Sequence, residues 1–292
     1  MRKIFLCGLA LLFALCLAGL FIVSCDKIEE GEYLKHPNNS QQDPTDTTGQ
    51  KTLFRKVLII DFTGHTCGNC PKGHKMIATL EGTYHDAVVP VAMHCTSTYA
   101  SPEPGTAFAD DFRTEEGNYL CTYTDLEGLP AGLVNTLDPL SLSNAPTEWA
   151  TLFANYVNVT PELSIEVIPS VANGSMTANV KLTAETACSR KLSLCVYVVE
   201  DNIIGGQIDY ESNPTTIEDY VHNHVFRTSF SGALGESVKN DTEELAKDAT
   251  IEKSYTKAFS SDWNAANCKV IAFVYDADTK EVLQAEEVAV ED

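Results

Sequence analysis

The stretch that most narrows what this chain can build is Lys56-Val57-Leu58-Ile59-Ile60-Asp61-Phe62, which runs through a short loop into Cys67-Gly68-Asn69-Cys70-Pro71. The β-branched run reads as a strand buried on both faces, and Met76, Ile77, Leu80 and Tyr84 beyond the cysteines recur at helical spacing. The predicted order is strand, Cys-x-x-Cys, helix. A helix start offers unpaired amides and a partial positive charge, which favour thiolate over thiol at Cys67. Cys70, one turn later, stands where it can resolve a mixed disulfide. Pro71 in the first turn costs no helical hydrogen bond. Three readings of the pair stay open: a redox dithiol, a structural disulfide, or half of a metal site. The metal reading lacks further ligands, because His65 and His74 are nearby but no second Cys-x-x-Cys or His-x-x-x-His follows. Neither metal nor cofactor is expected.

On these residues the chain resembles the thioredoxin family. Ile60-Asp61-Phe62 ahead of Cys67 reproduces that family's spacing between a buried aspartate and the attacking cysteine, and Gly128-Leu129-Pro130-Ala131 is similar to its cis-proline loop. The resemblance implies that Asp61 relays protons to Cys70 and that Pro130 faces the dithiol. Thr66 and Asn69 depart from the family pattern, and the long interval from Cys67 to Pro130 implies an insertion within Thr96 to Tyr123. His65 reads as an exposed loop histidine, the alternative being an added positive charge beside Cys67.

Val88-Val89-Pro90-Val91-Ala92-Met93-His94-Cys95 reads as a second strand parallel to the first, bringing Cys95 to the sheet edge that carries Cys67. Cys95 and Cys121 read as a structural bridge pinning the insertion, with auxiliary thiols or unpaired buried cysteines as alternatives. A short strand, Ala131 to Val134, follows. Asn144-Ala145-Pro146 then opens a helix with Trp149, Leu152, Phe153, Tyr156 and Val157 on one side, closing the domain near Asn158.

From Pro161 the period becomes alternating, with a hairpin turn at Asn173-Gly174. Further strands are predicted at Lys191 to Glu200, Tyr220 to Phe230, Tyr255 to Phe259, Lys269 to Tyr275 and Glu281 to Val290. This pattern predicts an all-β sandwich, immunoglobulin-like. His222-Asn223-His224 places two imidazoles on one strand face, read as structural histidines with a metal pair as the alternative.

The chain opens with Arg2-Lys3 and an apolar run from Ile4 to Val23 that reads as an export signal. Ser24 before Cys25 resembles a lipoprotein processing site, with acyl chains on Cys25 expected to hold the protein on a membrane. An uncleaved membrane anchor is the alternative. Asp26-Lys27-Ile28-Glu29-Glu30 resembles the acidic export tags of surface-displayed Bacteroidetes lipoproteins, and equally a solvated linker. The polar stretch that follows reads as a tether, within which Asp46-Thr47-Thr48 resembles a Bacteroidetes O-glycosylation site. A net charge of −21 opposes any hold on phosphate backbones, so no nucleic-acid partner is expected.

The expected layout is therefore signal peptide 1–24, disordered tether 25–52, an α/β thioredoxin-like domain 53–159 and a β-sandwich domain 160–292. Together with Tyr220-Val221-His222-Asn223-His224-Val225-Phe226-Arg227 and Ala272-Phe273-Val274-Tyr275-Asp276, it resembles the 28-kDa outer-membrane protein family of Bacteroidetes. That resemblance implies an outer-membrane lipoprotein, on the periplasmic or the surface face. Of ten cysteines, Cys7, Cys16 and Cys25 belong to the leader and the lipid site, leaving an odd seven. Cys188 and Cys268 are expected to pair across the sandwich, with Cys195 a buried thiol. The expected activity is thiol-disulfide exchange on extracytoplasmic protein thiols or disulfides, carried by Cys67, Cys70, Asp61 and Pro130. The alternative is a non-enzymatic adhesion or binding lipoprotein.

Overall fold

A computed structural model describes residues 53–290, so the leader, Cys25 and the tether lie outside the described residues. Strand β1 (Val57–Thr63) is buried at every position, as its apolar run requires of a strand with neighbours on both sides. Helix α1 (Pro71–Tyr84) carries the chain to β2 (Val88–His94), which pairs with β1 in parallel from Val57↔Val88 to Thr63↔His94. Parallel pairing demands such a crossover. Helix α2 (Glu115–Tyr123), capped by the Thr114 side chain on the Gly117 amide, leads to β3 (Ala131–Val134), antiparallel to β1. Helix α3 (Pro146–Ala154) then packs beside α1. Val57, Ile59, Val134, Ile77, Leu80, Trp149 and Phe153 form the apolar layer between these helices and the sheet.

The remaining elements are β4 (Leu163–Ala172), β5 (Ser175–Ala184), β6 (Leu192–Glu200), β7 (Ile203–Ile208), β8 (Thr216–His222), β9 (Val225–Ser229), β10 (Glu236–Ser237), β11 (Thr250–Ala258), β12 (Cys268–Asp276) and β13 (Val282–Ala289). The main sheet is mixed and eight-stranded, ordered β13-β12-β6-β9-β2-β1-β3, with β10 on β6. Its ends approach each other where the Leu137 amide donates to Lys280 O and the Val282 amide to Asn135 O, both at 2.9 Å. The sheet therefore curls around Ile60, Phe62, Met93, Tyr197, Phe226 and Phe273. Alternate residues of β6 and β12, such as Val196, Val198, Val270 and Val274, face outward. There they pack against the three-stranded sheet β11-β5-β4 through Leu163, Val180 and Leu182.

The boundary expected near 159–160 marks a change of element type and not a break in the fold. Residues Leu53–Asp292 form one compact unit, because β2 pairs with β9 at Ala92↔Val225 and the Ala92 amide donates to His224 O at 2.8 Å. Left unpaired, β2 would expose a row of backbone groups. The strand expected from Tyr220 to Phe230 is two strands. Backbone φ is +57° at His224, which ends β8 and redirects the chain into the main sheet.

Among the described residues, no helix is long and apolar enough to cross a membrane.

Candidate functional site

Cys67 and Cys70 sit where the sequence places them, in the turn between β1 and α1, and they are joined in a disulfide. Cys70 is the cap residue of α1 and Pro71 begins its first turn. The Cys70 amide donates to Cys67 O at 3.2 Å and the Gly73 amide to Cys70 O at 2.9 Å, so part of the helix-start donor set is engaged within the turn. The sulfur-bearing residues are more enclosed than a free helix start implies, Cys67 being 4% exposed and Cys70 fully buried.

Asp61, on β1, lies under the start of α1: a Cβ added to Gly73 would stand 3.2 Å from its Oδ2. Asp61 is fully buried, and among the described residues no donor makes a hydrogen bond to either carboxylate oxygen. Burial alone pushes its pKa well above the usual carboxylate range. The nearest cationisable group is His74, whose Nε2 is 3.6 Å from Asp61 Oδ2. His74 Nε2 also meets Thr63 Oγ1 at 2.9 Å, and its Nδ1 meets Tyr220 Oη at 2.8 Å. Desolvation, then the neighbouring His222 and His224, lowers the His74 pKa to about 3.

Pro130 follows a cis Leu129-Pro130 peptide and is buried. Since Ala131 pairs with Phe62, Pro130 stands one residue beyond that pair, at the sheet end from which the dithiol loop departs. Asp61, Cys67, Cys70 and Pro130 thus share one end of the sheet.

The cover over this loop was not legible in the sequence. The hairpin β7-β8 folds onto it from the far half of the chain. The Ile208 amide donates to His65 O at 2.9 Å, the Tyr210 amide to Gly68 O at 2.9 Å, and Gln207 Nε2 to Cys67 O at 3.2 Å. The ring of Tyr210 lies against Gly68, where a Cβ would come within 2.6 Å of Cζ, so a side chain there would displace the hairpin. Lys75 adds contacts to Asp209 and Glu211 at 3.1 and 3.0 Å, partly exposed and worth little individually. From the other side, Tyr99 O accepts from the Thr66 amide at 3.0 Å. The one local sign of the hairpin is Asn213-Pro214, a turn signal that closes it.

The histidines depart from expectation. His65 is 1% exposed, with Nε2 on Ser101 O at 3.0 Å, because the 96–113 segment folds over it. His222 and His224 do not share a strand face. His222 packs against Phe112 and His94, whereas His224 lies 3.4 Å from Glu81 and 3.3 Å from Asp201. Burial lowers the His222 pKa to about 4 and takes that of His94 well below normal; neither ring nitrogen of His94 finds a partner among the described residues. For His224 burial is outweighed by the Glu81 hydrogen bond and the Asp201 charge, and the net shift is upward.

Cys95 and Cys121 are bonded, tying the end of β2 to α2. Cys188 and Cys268 are not paired with each other; both are free and buried, as is Cys195. Strand direction explains the separation. Cys268 lies opposite Glu200 at one end of β6, whereas Cys188 precedes Leu192 at the other. Eight strand residues span roughly 26 Å, far beyond the reach of a disulfide. Burial raises the Cys268 pKa to about 12 and pushes the Cys195 thiol up as well. No group of three His, Cys, Asp or Glu side chains among the described residues is arranged to hold a metal ion.

Residues 118–292 match the family model described as outer membrane protein Omp28. Among solved structures, HBP35 of Porphyromonas gingivalis is similar with a TM-score of 0.60 at 17% identity, covering 82% of this chain and 76% of its own. That likeness shows a shared fold. A domain of the outer membrane lipoprotein Omp28 from Porphyromonas gingivalis aligns over 46% of this chain and 91% of its own, at 23% identity and a TM-score of 0.32. No curated protein matches.

Proposed function

The chain belongs to the Omp28 outer membrane protein family, and on that premise we propose that it is a lipoprotein, anchored through Cys25 to the outer membrane, that exchanges disulfides with extracytoplasmic proteins. In this reading β1, α1, β2, β3 and the Pro130 loop are a thioredoxin-like half, and the later strands an immunoglobulin-like sandwich built onto the same sheet. The matched family region begins at residue 118, so it includes Pro130 and leaves the dithiol outside.

The observation that carries the exchange reading is Asp61. An ionisable carboxyl held fully buried without a hydrogen-bond donor lowers stability by several kcal/mol when charged. A disulfide serving only as a staple needs no such group beneath it, whereas a resolving cysteine needs a proton acceptor. The test is reduction of insulin by the full chain with dithiothreitol as electron source. The native protein is expected to accelerate it, and a rate unchanged by Cys67→Ser ends the proposal.

One observation favours a second reading, a binding lipoprotein with a structural Cys67-Cys70 bond: Cys67 is only 4% exposed, with the hairpin on one side of its loop and Tyr99 on the other. That reading requires a reduction potential below about −300 mV, which a glutathione or dithiothreitol titration measures.

A further inference from the structure

We propose that His74 and Tyr220 are positioning residues that carry the Asp61 proton between the buried carboxyl and solvent during disulfide exchange. The inference rests on the exchange reading and adds to it a route that the dithiol motif does not contain. Asp61 sits at zero exposure, and the imidazole at 3.6 Å is its polar neighbour toward the surface. His74 stands four residues after Cys70 on α1, one turn further along the same face. It keeps 17% side-chain exposure, so one side chain lies between the enclosed carboxyl and the surface. Tyr220, half-buried on β8, fixes that ring through Nδ1, and Thr63 fixes it through Nε2. Holding both nitrogens sets the ring's orientation. With the proton on Nδ1 donated to Tyr220 Oη, Nε2 is the unprotonated nitrogen, accepting from the Thr63 hydroxyl and lying 3.6 Å from Asp61 Oδ2.

The step balances as follows. After Cys67 has formed a mixed disulfide with a partner, Cys70 gives its Sγ proton to the Asp61 carboxylate. The Cys70 thiolate attacks the Cys67 sulfur, a new Cys67-Cys70 bond forms, and the partner's sulfur leaves as thiolate with the electron pair of the broken bond. The partner is reduced and this chain oxidised. As Asp61 gives its proton to His74 Nε2, Nδ1 gives one to Tyr220 Oη and the Tyr220 hydroxyl gives one to water, so the ring stays neutral throughout, as its lowered pKa requires, and exchange with water restores the Nδ1 proton before the next turnover. The groups facing His74 are Asp61 from β1, Tyr220 and His222 from β8, Asp209 from the hairpin turn, His224 beyond β8, and Lys75 on its own helix.

The experiment uses the full chain, reduced, desalted and mixed with oxidised glutathione. Acid quenching and mass spectrometry follow the glutathione adduct on Cys67 from pH 5 to 9. His74→Gln and Tyr220→Phe are expected to leave the rate of adduct formation unchanged, to lengthen the adduct's lifetime roughly tenfold at pH 7, and to shift the pH at which its decay is half-maximal. Native lifetimes and an unshifted profile in both variants overturn the relay. Tyr220→Phe keeps the ring and removes only the hydroxyl, so it decides the matter if His74→Gln folds poorly. A native chain that forms no adduct at Cys67 instead removes the exchange reading itself, a result separate from failure of the relay.

Discussion

The ring of Tyr210 rests on Gly68 and its amide donates to Gly68 O, so one residue from the far half of the chain closes the Cys-x-x-Cys turn by both side chain and backbone. Cys67, the neighbour of Gly68, is 4% exposed, so opening of that contact is expected to admit reagents. Tyr210→Ala is expected to speed reduction of the Cys67-Cys70 bond about fivefold, the effect of about 1 kcal/mol on an opening equilibrium. Reduction kinetics with excess dithiothreitol and timed alkylation check this. An unchanged rate shows that the hairpin does not control access.

Asp61 gives a stability prediction that runs against the role proposed for it in exchange. Its folded pKa lies above 3.8, so the folded state holds a proton that the unfolded state has lost, and stability falls as pH rises from 3.8 through the folded pKa. Asp61→Asn is therefore expected to raise the unfolding free energy measured in urea at pH 8 by about 1–3 kcal/mol, with a smaller gain at pH 4, while slowing adduct decay. A less stable variant at pH 8 contradicts the account.

The buried imidazoles act at lower pH. His74 and His222 titrate at about 3 and about 4 when folded, against 6.5 when free, and His94 is displaced in the same direction. The unfolded state binds more protons between those limits, so their contribution to stability is present above pH 6.5 and is lost as pH falls toward 4. Asp61 and His224 shift the other way and offset part of this. A fall of a few kcal/mol in unfolding free energy from pH 7 to 4.5 is expected. His94→Phe, retaining contact with Phe112 and removing one proton site, is expected to flatten the profile.

Peptide mapping of the oxidised protein is expected to recover the Cys67-Cys70 and Cys95-Cys121 links, with Cys188, Cys195 and Cys268 unmodified by iodoacetamide until the chain is denatured. Cys95→Ser is expected to lower stability by about 3 kcal/mol through the freed loop. Recovery of a Cys188-Cys268 link overturns the strand order of β6 and β12.

What the sequence made legible was local. The β1 run, the cysteine turn, Pro71 and the apolar spacing of α1 lie within thirty consecutive residues, and each states its conformation by residue type. The β4-β5 hairpin was equally readable from alternation around Asn173-Gly174. The positions of Asp61 and Pro130 were carried by family resemblance and not by periodicity. The hairpin cover is not legible locally, because its contact from Gln207 to Cys67 O joins residues 140 apart and a backbone carbonyl leaves no mark on composition. Cys188 and Cys268 stay apart, contrary to expectation, because spacing along the chain does not reveal that the intervening strands run in opposite directions. The break at Asn223 was hidden by apolar residues on both sides of it.

The pairing of Ala92 with Val225 on one flank, and the bonds of Asn135 and Leu137 to Val282 and Lys280 on the other, make the molecule a garment with two seams. A fragment ending at 159 would carry the cysteine turn with an unfinished flank and no hairpin above it, and would tend to stick to its own kind. The half that carries the cysteine turn and the strand-rich half therefore have to be made and degraded as a single item of cargo.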